Sequence, residues 1–446
     1  MNTPIFDFVK KYAESNISRL HMPAHKGQNI LGCENFDITE ITGADVLYSA
    51  SGIINESEDN ASKLFGTAHS YYSTQGSTLA IYAMLCIIAK CNADSNKCVL
   101  AARNVHKSFV NACSLLGFDV DWILAENFSH ICSCDITTED IEKALISNQK
   151  KYCAVYITSP DYLGNMLDIS SISNICDKYN LPLLVDNAHG AYTAFLDNNL
   201  HPINHGAAMC ADSAHKTLPV LTGGAYLHIS KNADKKYHEY ARFALSAFAS
   251  TSPSYLTLQS LDLCNDYLEN SIRSELKKCI AKTDKVKHSL KEYGYTVQDT
   301  EPLKIVISTK NSGYFGQQIA EILRQNNVEC EFADDDFIVL MTSPKNSDED
   351  FNRINETLLH LPLLTPITNE KSIPFSTPES ALSMRQAFLS AHKTVKIEES
   401  LGKICAVSQV SCPPAVPIVI SGEIITQHEI KLLKEYGIEF IYIIDT

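Results

Sequence analysis

Long apolar runs, paired-cysteine motifs and clusters of basic residues are all missing from this 446-residue chain. Its longest apolar stretch, Leu79 to Ala89, is too short to cross a bilayer as a helix. The opening residues MNTPIFDFVKKYAESN mix acidic and basic side chains without an apolar run of signal-peptide length, so nothing in them marks the protein for export. Fifteen cysteines are present, yet the number is odd, the spacing is irregular and no CxxC occurs. That pattern suits reduced thiols in the cytoplasm better than a disulfide framework or a zinc site, and no metal is expected. Cys132 and Cys134 form a lone CxC, a weak metal signal. A formal charge of −15 speaks against a nucleic-acid-binding surface, which needs clustered Lys and Arg, and suits a cationic small substrate. No solenoid-period repeat and no low-complexity tract is visible.

What remains is a globular composition, 45% hydrophobic and 20% charged, enough for one large α/β domain with smaller ones attached. The pattern predicts a short helix near Ile5 to Glu14, then a Gly- and Pro-punctuated stretch at 21–32. Residues 79–89 read as a buried helix on length. Residues 98–102, 152–158, 181–186 and 224–229 read as buried strands. Continuous apolar strands alternating with helices imply a mainly parallel sheet covered on both faces. A helical, charge-rich section follows at 255–292. Strands at 304–308 and 337–342 with a helix near 315–326 then resemble a small α+β domain. A Pro- and Thr-rich connector at 361–368 leads to a last segment that includes 412–420. The expected divisions are an N-terminal arm with active-site loops (1–60), a large domain (61–290), a small α+β domain (291–368) and a C-terminal domain (369–446).

The chemistry concentrates in LPLLVDNAHGAY, 181–192, where Asp186 ends a buried strand and small residues and a histidine follow. Open α/β sheets place ligands at that end. Further on comes AspSerAlaHisLysThr, 212–217, before a glycine pair and a strand. Taken singly, Asp186 reads equally well as a helix N-cap and Lys216 as a solvated surface lysine. Together they supply what pyridoxal phosphate (PLP) needs: an amine for covalent attachment, a carboxylate for the pyridine nitrogen, and a phosphate cup. The cup is sought in SerThrGlnGlySerThr, 73–78, ahead of the 79–89 helix. There Gly76 allows close backbone approach, Ser77 and Thr78 offer hydroxyls, and the helix start offers N–H groups. Alone, that stretch is ordinary capping.

Several ordered motifs carry a resemblance: HMPAHKGQ at 21–28, DITEITGADVLY at 37–48, RNVHKS at 103–108, DNAHG at 186–190, SAHK at 213–216, MRQAF at 384–388 and PPAVP at 413–417. They resemble the short bacterial ornithine/lysine/arginine decarboxylases of the aminotransferase-like PLP fold, over most of the chain. The resemblance implies that Lys216 holds PLP covalently, Asp186 pairs with the pyridine nitrogen, His106 stacks on the ring and Ala188 packs beneath it. Ser77, Thr78, Ser213 and His215 would surround the phosphate, His189 would line the cofactor pocket, and Lys216 and His215 are the candidates for reprotonating Cα. His25 and Asp45 are candidate substrate contacts. Many relatives carry an acid where this chain has Asn187, and another where Val407 precedes the PPAVP motif. HisLys pairs also occur at 25–26, 106–107 and 392–393, but only Lys216 follows an aspartate-tipped strand and precedes a glycine-rich strand entry.

The expected activity is PLP-dependent decarboxylation of a basic amino acid, by a homodimer or a multiple of dimers whose 21–60 stretch covers a neighbouring site. An aminotransferase or other PLP lyase on the same fold, with Arg385 as the carboxylate anchor, is the alternative enzyme reading. A non-catalytic PLP-binding regulator is the alternative from another class. No membrane partner is expected.

Overall fold

A computed structural model describes the chain except residues 94–96, 126–129, 134, 148–150, 369–372, 374–375, 411–414 and 446. The elements, in chain order, begin with α1 (Pro4–Ala13), α2 (Ile53–Phe65), β1 (His69–Ser73), α3 (Gly76–Cys91), β2 (Cys98–Ala102), α4 (Lys107–Leu116) and β3 (Asp119–Ile123). They continue with α5 (Thr138–Ser147), β4 (Ala154–Thr158), α6 (Ile169–Lys178), β5 (Leu183–Asp186), β6 (Met209–Asp212), α7 (Ala214–Thr217), β7 (Ala225–Ile229), α8 (Lys235–Ser246) and α9 (Tyr255–Asn270). Next are α10 (Ile272–Tyr293), β8 (Thr296–Val297), β9 (Lys304–Ser308), α11 (Gly316–Gln325), β10 (Phe332–Ala333), β11 (Phe337–Met341) and α12 (Asp348–Leu359). Last come α13 (Met384–Leu389), β12 (His392–Lys396), β13 (Gln409–Val410), β14 (Pro417–Val419), α14 (Gln427–Glu435) and β15 (Phe440–Ile444).

Two compact units share these elements: Met1–Leu100 with Gln149–Ile157 and Asp168–Arg273, and Ala101–Asn148 with Thr158–Leu167 and Ser274–Thr446. The large sheet runs in the order β1-β7-β6-β5-β4-β2-β3. It is mainly parallel, as the apolar strands predict; β5 and β6 are parallel with Asp186 beside Ala211, while β7 runs antiparallel to both β6 and β1. Helix α3 is apolar from Leu79 to Ala89 and buried along that length, which is why no polar face shows in its sequence. At the start of α1, Ile5 and Val9 fall on one buried face, and Asp262 on α9 accepts the Ile5 and Phe6 N–H groups at 2.9 Å each.

The sequence pattern does not predict β1, because HisSerTyrTyrSer looks like a polar loop. All five residues are nevertheless buried, with their polar groups paired: Ser70 Oγ lies 2.8 Å from His228 Nδ1, and Tyr72 Oη 2.8 Å from Ser57 Oγ. Helix α3 also starts three residues earlier than hydropathy suggests. Ser77 and Thr78 therefore lie inside its first turn and not ahead of it.

In the second unit, β10-β11-β9-β8 form an antiparallel sheet whose register sets Val306 opposite Val339. Helices α11 and α12 accompany it, as the 304–342 pattern anticipates. The C-terminal elements pair β12 with β15 and β13 with β14, around Ile397, Cys405, Val419, Leu433 and Ile441. No helix among the described residues is long and apolar enough to cross a membrane. The thirteen cysteines described are all free thiols.

Candidate active site

Leu183, Leu184 and Val185 bury β5 completely and carry Asp186 with them to the strand end, where it is 2% exposed. Burial pushes its carboxyl up to about 6. Lys216, the Ala188 N–H at 3.2 Å and the Tyr156 hydroxyl pull the other way without cancelling burial. Such a carboxylate gains most from a cationic partner that shares its enclosure.

Lys216 projects from α7, a single turn between β6 and β7, and its Nζ stands 3.0 Å from His189 Nε2. On the same turn His215 places Nδ1 3.0 Å from Gly224 O, so that nitrogen carries the proton and Nε2 keeps its lone pair. Burial lowers the His215 pKa further. Ser213 Oγ donates to Ser77 Oγ at 2.8 Å, tying the loop before Lys216 to the first turn of α3. No side chain caps that helix start. Gly76 has φ +69 and open space where a Cβ would stand, and its N–H donates to Gly223 O at 2.7 Å. A Cβ at Gly223 would come within 2.8 Å of Thr74 O, so the glycine there is obligatory.

The first unit thus brings together an accessible amine, a buried carboxylate at the end of a parallel sheet, and a cradle of two hydroxyls at an open helix N-terminus. This donor set fits PLP: Lys216 would take its aldehyde, Asp186 its ring nitrogen, and Ser77, Thr78, Ser213 and Gly76 its phosphate. Fold and site together define a PLP enzyme of the aminotransferase-like class. The profile described as "Orn/Lys/Arg decarboxylase, major domain" matches residues 3–309, and the chain belongs to that family of PLP-dependent decarboxylases. The arginine decarboxylase of Bacillus subtilis is 28% identical, with 97% of this chain and 93% of the relative covered; that of Bacillus anthracis is 27% identical, with 97% and 92% covered. The lysine decarboxylase of Francisella novicida superposes with a TM-score of 0.80 at 17% identity, covering 99% of this chain and 81% of its own.

Other expected site residues have more local partners. His25 is hydrogen-bonded to Asp37 at 3.2 Å and accepts the Gly27 N–H at 3.0 Å. Asp45, with φ +67, accepts the N–H groups of Val46, Ser51, Gly52 and Ile54 at 2.8 to 3.1 Å and so anchors the start of α2. That duty holds its carboxyl below the usual range despite partial burial. His106 sits in the second unit as the N-cap of α4, its Nδ1 accepting from Ser108. Arg385 donates to Leu115 O and Lys393 pairs with Asp445 at 2.7 Å. Cys134 and the first residues of the PPAVP motif lie outside the described residues.

The sequence reading passes over a buried set next to Asp186: Asn187, Asp212, His201 and His228, each fully enclosed. The hint was Asp212 itself, an acid at a strand end just ahead of SAHK. His201, Cys210 and Asp212 lie close enough to suggest a metal site. However, Ile203 N–H donates to His201 Nδ1, so His201 Nε2 carries a proton toward Asp212 and offers no lone pair.

Proposed function

We propose that the protein decarboxylates a basic L-amino acid, with arginine the first candidate, at Lys216. The carrying observation is Asp186, buried at the end of β5 with its carboxyl raised and within electrostatic reach of Lys216, while Ser213, on the same turn as Lys216, is bonded to Ser77. Family membership and two arginine-decarboxylase relatives that match nearly end to end support the choice of reaction and substrate. PLP, when bound, supplies an electron-accepting ring for the pair left as CO2 departs. Asp186 holds the positive charge on the ring nitrogen, and burial strengthens that interaction. Ser77, Thr78 and Ser213 bind phosphate oxygens. His215, with a free Nε2, and Lys216 are placed to return a proton to Cα. His106 offers a ring fixed at Nδ1 by Ser108, suited to stacking.

The acidic chain, at −15, draws a cationic substrate from solution. Ile17, Leu20, Met22, Ile30 and Leu31 are 59% to 93% exposed in the N-terminal stretch. So much apolar surface in one segment supports a homodimer in which a second copy covers it. Free cysteines throughout the described residues suit a reducing cytoplasm.

Incubating purified protein plus PLP with arginine, lysine and ornithine, and identifying the amine and CO2 released, tests the reading. Arginine should give agmatine. Lys216→Ala should abolish turnover and the visible absorption band while leaving the fold intact. An amine product from none of the three, or a fully active Lys216→Ala, would refute the proposal.

A further inference from the structure

Asp212 is fully buried at the end of β6, beside the strand that ends in Asp186. Its Oδ1 accepts from Asn187 Nδ2 at 2.8 Å, and its Oδ2 accepts from His201 Nε2 at 2.8 Å and lies 3.3 Å from His228 Nε2. The far nitrogens of both rings are engaged: His201 Nδ1 accepts the Ile203 N–H at 3.3 Å, and His228 Nδ1 faces Ser70 Oγ at 2.8 Å. Asn187 and His201 therefore donate N–H groups to one carboxylate, and His228 Nε2 stands beside it. Burial would raise the Asp212 carboxyl, but the two histidines overcome burial and hold it well below the usual range. The remaining ionisable neighbours, the Cys210 thiol and the Tyr226 phenol, are pushed up by burial and stay neutral. The result is an ionised carboxylate enclosed away from solvent.

That charge acts on Asp186. Among the groups around Asp186, Lys216 and the Tyr156 hydroxyl favour its ionised form and Asp212 opposes it. The coupling is also mechanical, because Asn187 follows Asp186 in the chain, donates its N–H to Ala211 O at 3.0 Å and gives its side chain to Asp212.

We propose that Asp212 is a positioning residue for the cofactor, a second buried carboxylate behind Asp186 that makes the couple of Asp186 and the pyridine nitrogen keep its shared proton to higher pH. This rests on the reading of Asp186 as the pyridine partner. A negative charge in a low-dielectric enclosure raises the proton affinity of every group near it, so both members of the couple feel it in the same sense. Decarboxylation requires that proton, so Asp212 widens the pH range of activity on its alkaline side.

The test loads holoenzyme with PLP labelled with nitrogen-15 in the ring and follows the pyridine-nitrogen chemical shift across pH. Asp212→Asn should move the loss of the ring-nitrogen proton down by about one pH unit. Asn187→Ser, which removes one hydrogen bond but leaves the charge, should titrate like the parent. Parent-like titration of Asp212→Asn, or an equal shift in Asn187→Ser, overturns the proposal. If Asp212→Asn fails to load PLP, Asp212→Glu decides: loading with parent-like titration supports a role for the charge, and failure in both assigns the residue to packing and overturns it. Asp186→Asn separates the two readings. If the nitrogen stays protonated in that variant, the Asp186 assignment fails, and this inference with it.

Discussion

Each unit encloses a charged cluster, and the two settle the conflict between burial and charge in opposite ways. In the first unit, Asn187 and His201 donate N–H groups to Asp212, with His228 beside it, and together they hold its proton off. In the second, Arg103 is 3% exposed, stands 5.2 Å from the Trp122 ring centroid, and donates to Pro417 O at 2.7 Å and Ile418 O at 3.1 Å. Glu423 stands 3.6 Å from the same guanidinium and accepts the Ile420 N–H at 2.7 Å. Burial wins there and pushes the Glu423 carboxyl up to about 7, even though Arg103 opposes it. The difference lies in where the donors point. Asp212 receives side-chain N–H groups from Asn187 and His201, whereas Arg103 directs Nη1 and Nη2 at backbone carbonyls. The first cluster stores charge beside Asp186; the second fastens β14 to the residues that lead to His106. Lys107 N–H, donating to Ala415 O at 2.9 Å, completes that fastening.

The comparison breaks most visibly at Arg103. Arg103→Met leaves two backbone carbonyls and a carboxyl buried without their donor, and should cost about 3–5 kcal/mol in denaturant unfolding. Adding Glu423→Gln should recover part of this, and a strictly additive double mutant would mean the pair does not interact. Asp212→Asn should cost less, about 2 kcal/mol, since the amide can still satisfy some of the donors that converge there.

The pH dependence of stability has opposite signs in the two clusters. Asp212 has a depressed folded pKa, so its contribution is present above its ordinary value of 3.8 and fades as pH falls through its folded pKa. Glu423 has a raised folded pKa, so its contribution is full below its ordinary value of 4.5 and is lost as pH rises toward about 7. Urea midpoints measured across that window should fall less steeply with pH in Glu423→Gln than in the parent. This is the smallest of the expected effects, and an unchanged slope would remove Glu423 from the account.

The residues proposed to hold the cofactor were legible along the chain. Asp186, Lys216, Ser77 and Ser213 stand in short motifs, and each motif carries its own backbone geometry: a strand end, a one-turn helix, a glycine-bearing helix start. Segments whose apolar residues are contiguous, such as α3 and β5, were equally plain. Strand β1 was hidden because His69 and Tyr72 find partners on α2, Ser70 on β7 and Tyr71 on α8, which no short local window contains. The sequence offered Asp45 as a candidate substrate contact from its polar, glycine-rich stretch. Its engagement by four N–H groups follows only from the turn that brings Ser51 to Ile54 back to it.

The chain's family and its mainly parallel sheet were therefore determined by sequence, since short motifs and hydropathy need only residue identity and near neighbours. Which buried acids hold charge was decided by the tertiary structure. The ionisation of Asp212 and Glu423 depends on how many donors reach each carboxylate from other elements, and at what distance, and that is a property of packing.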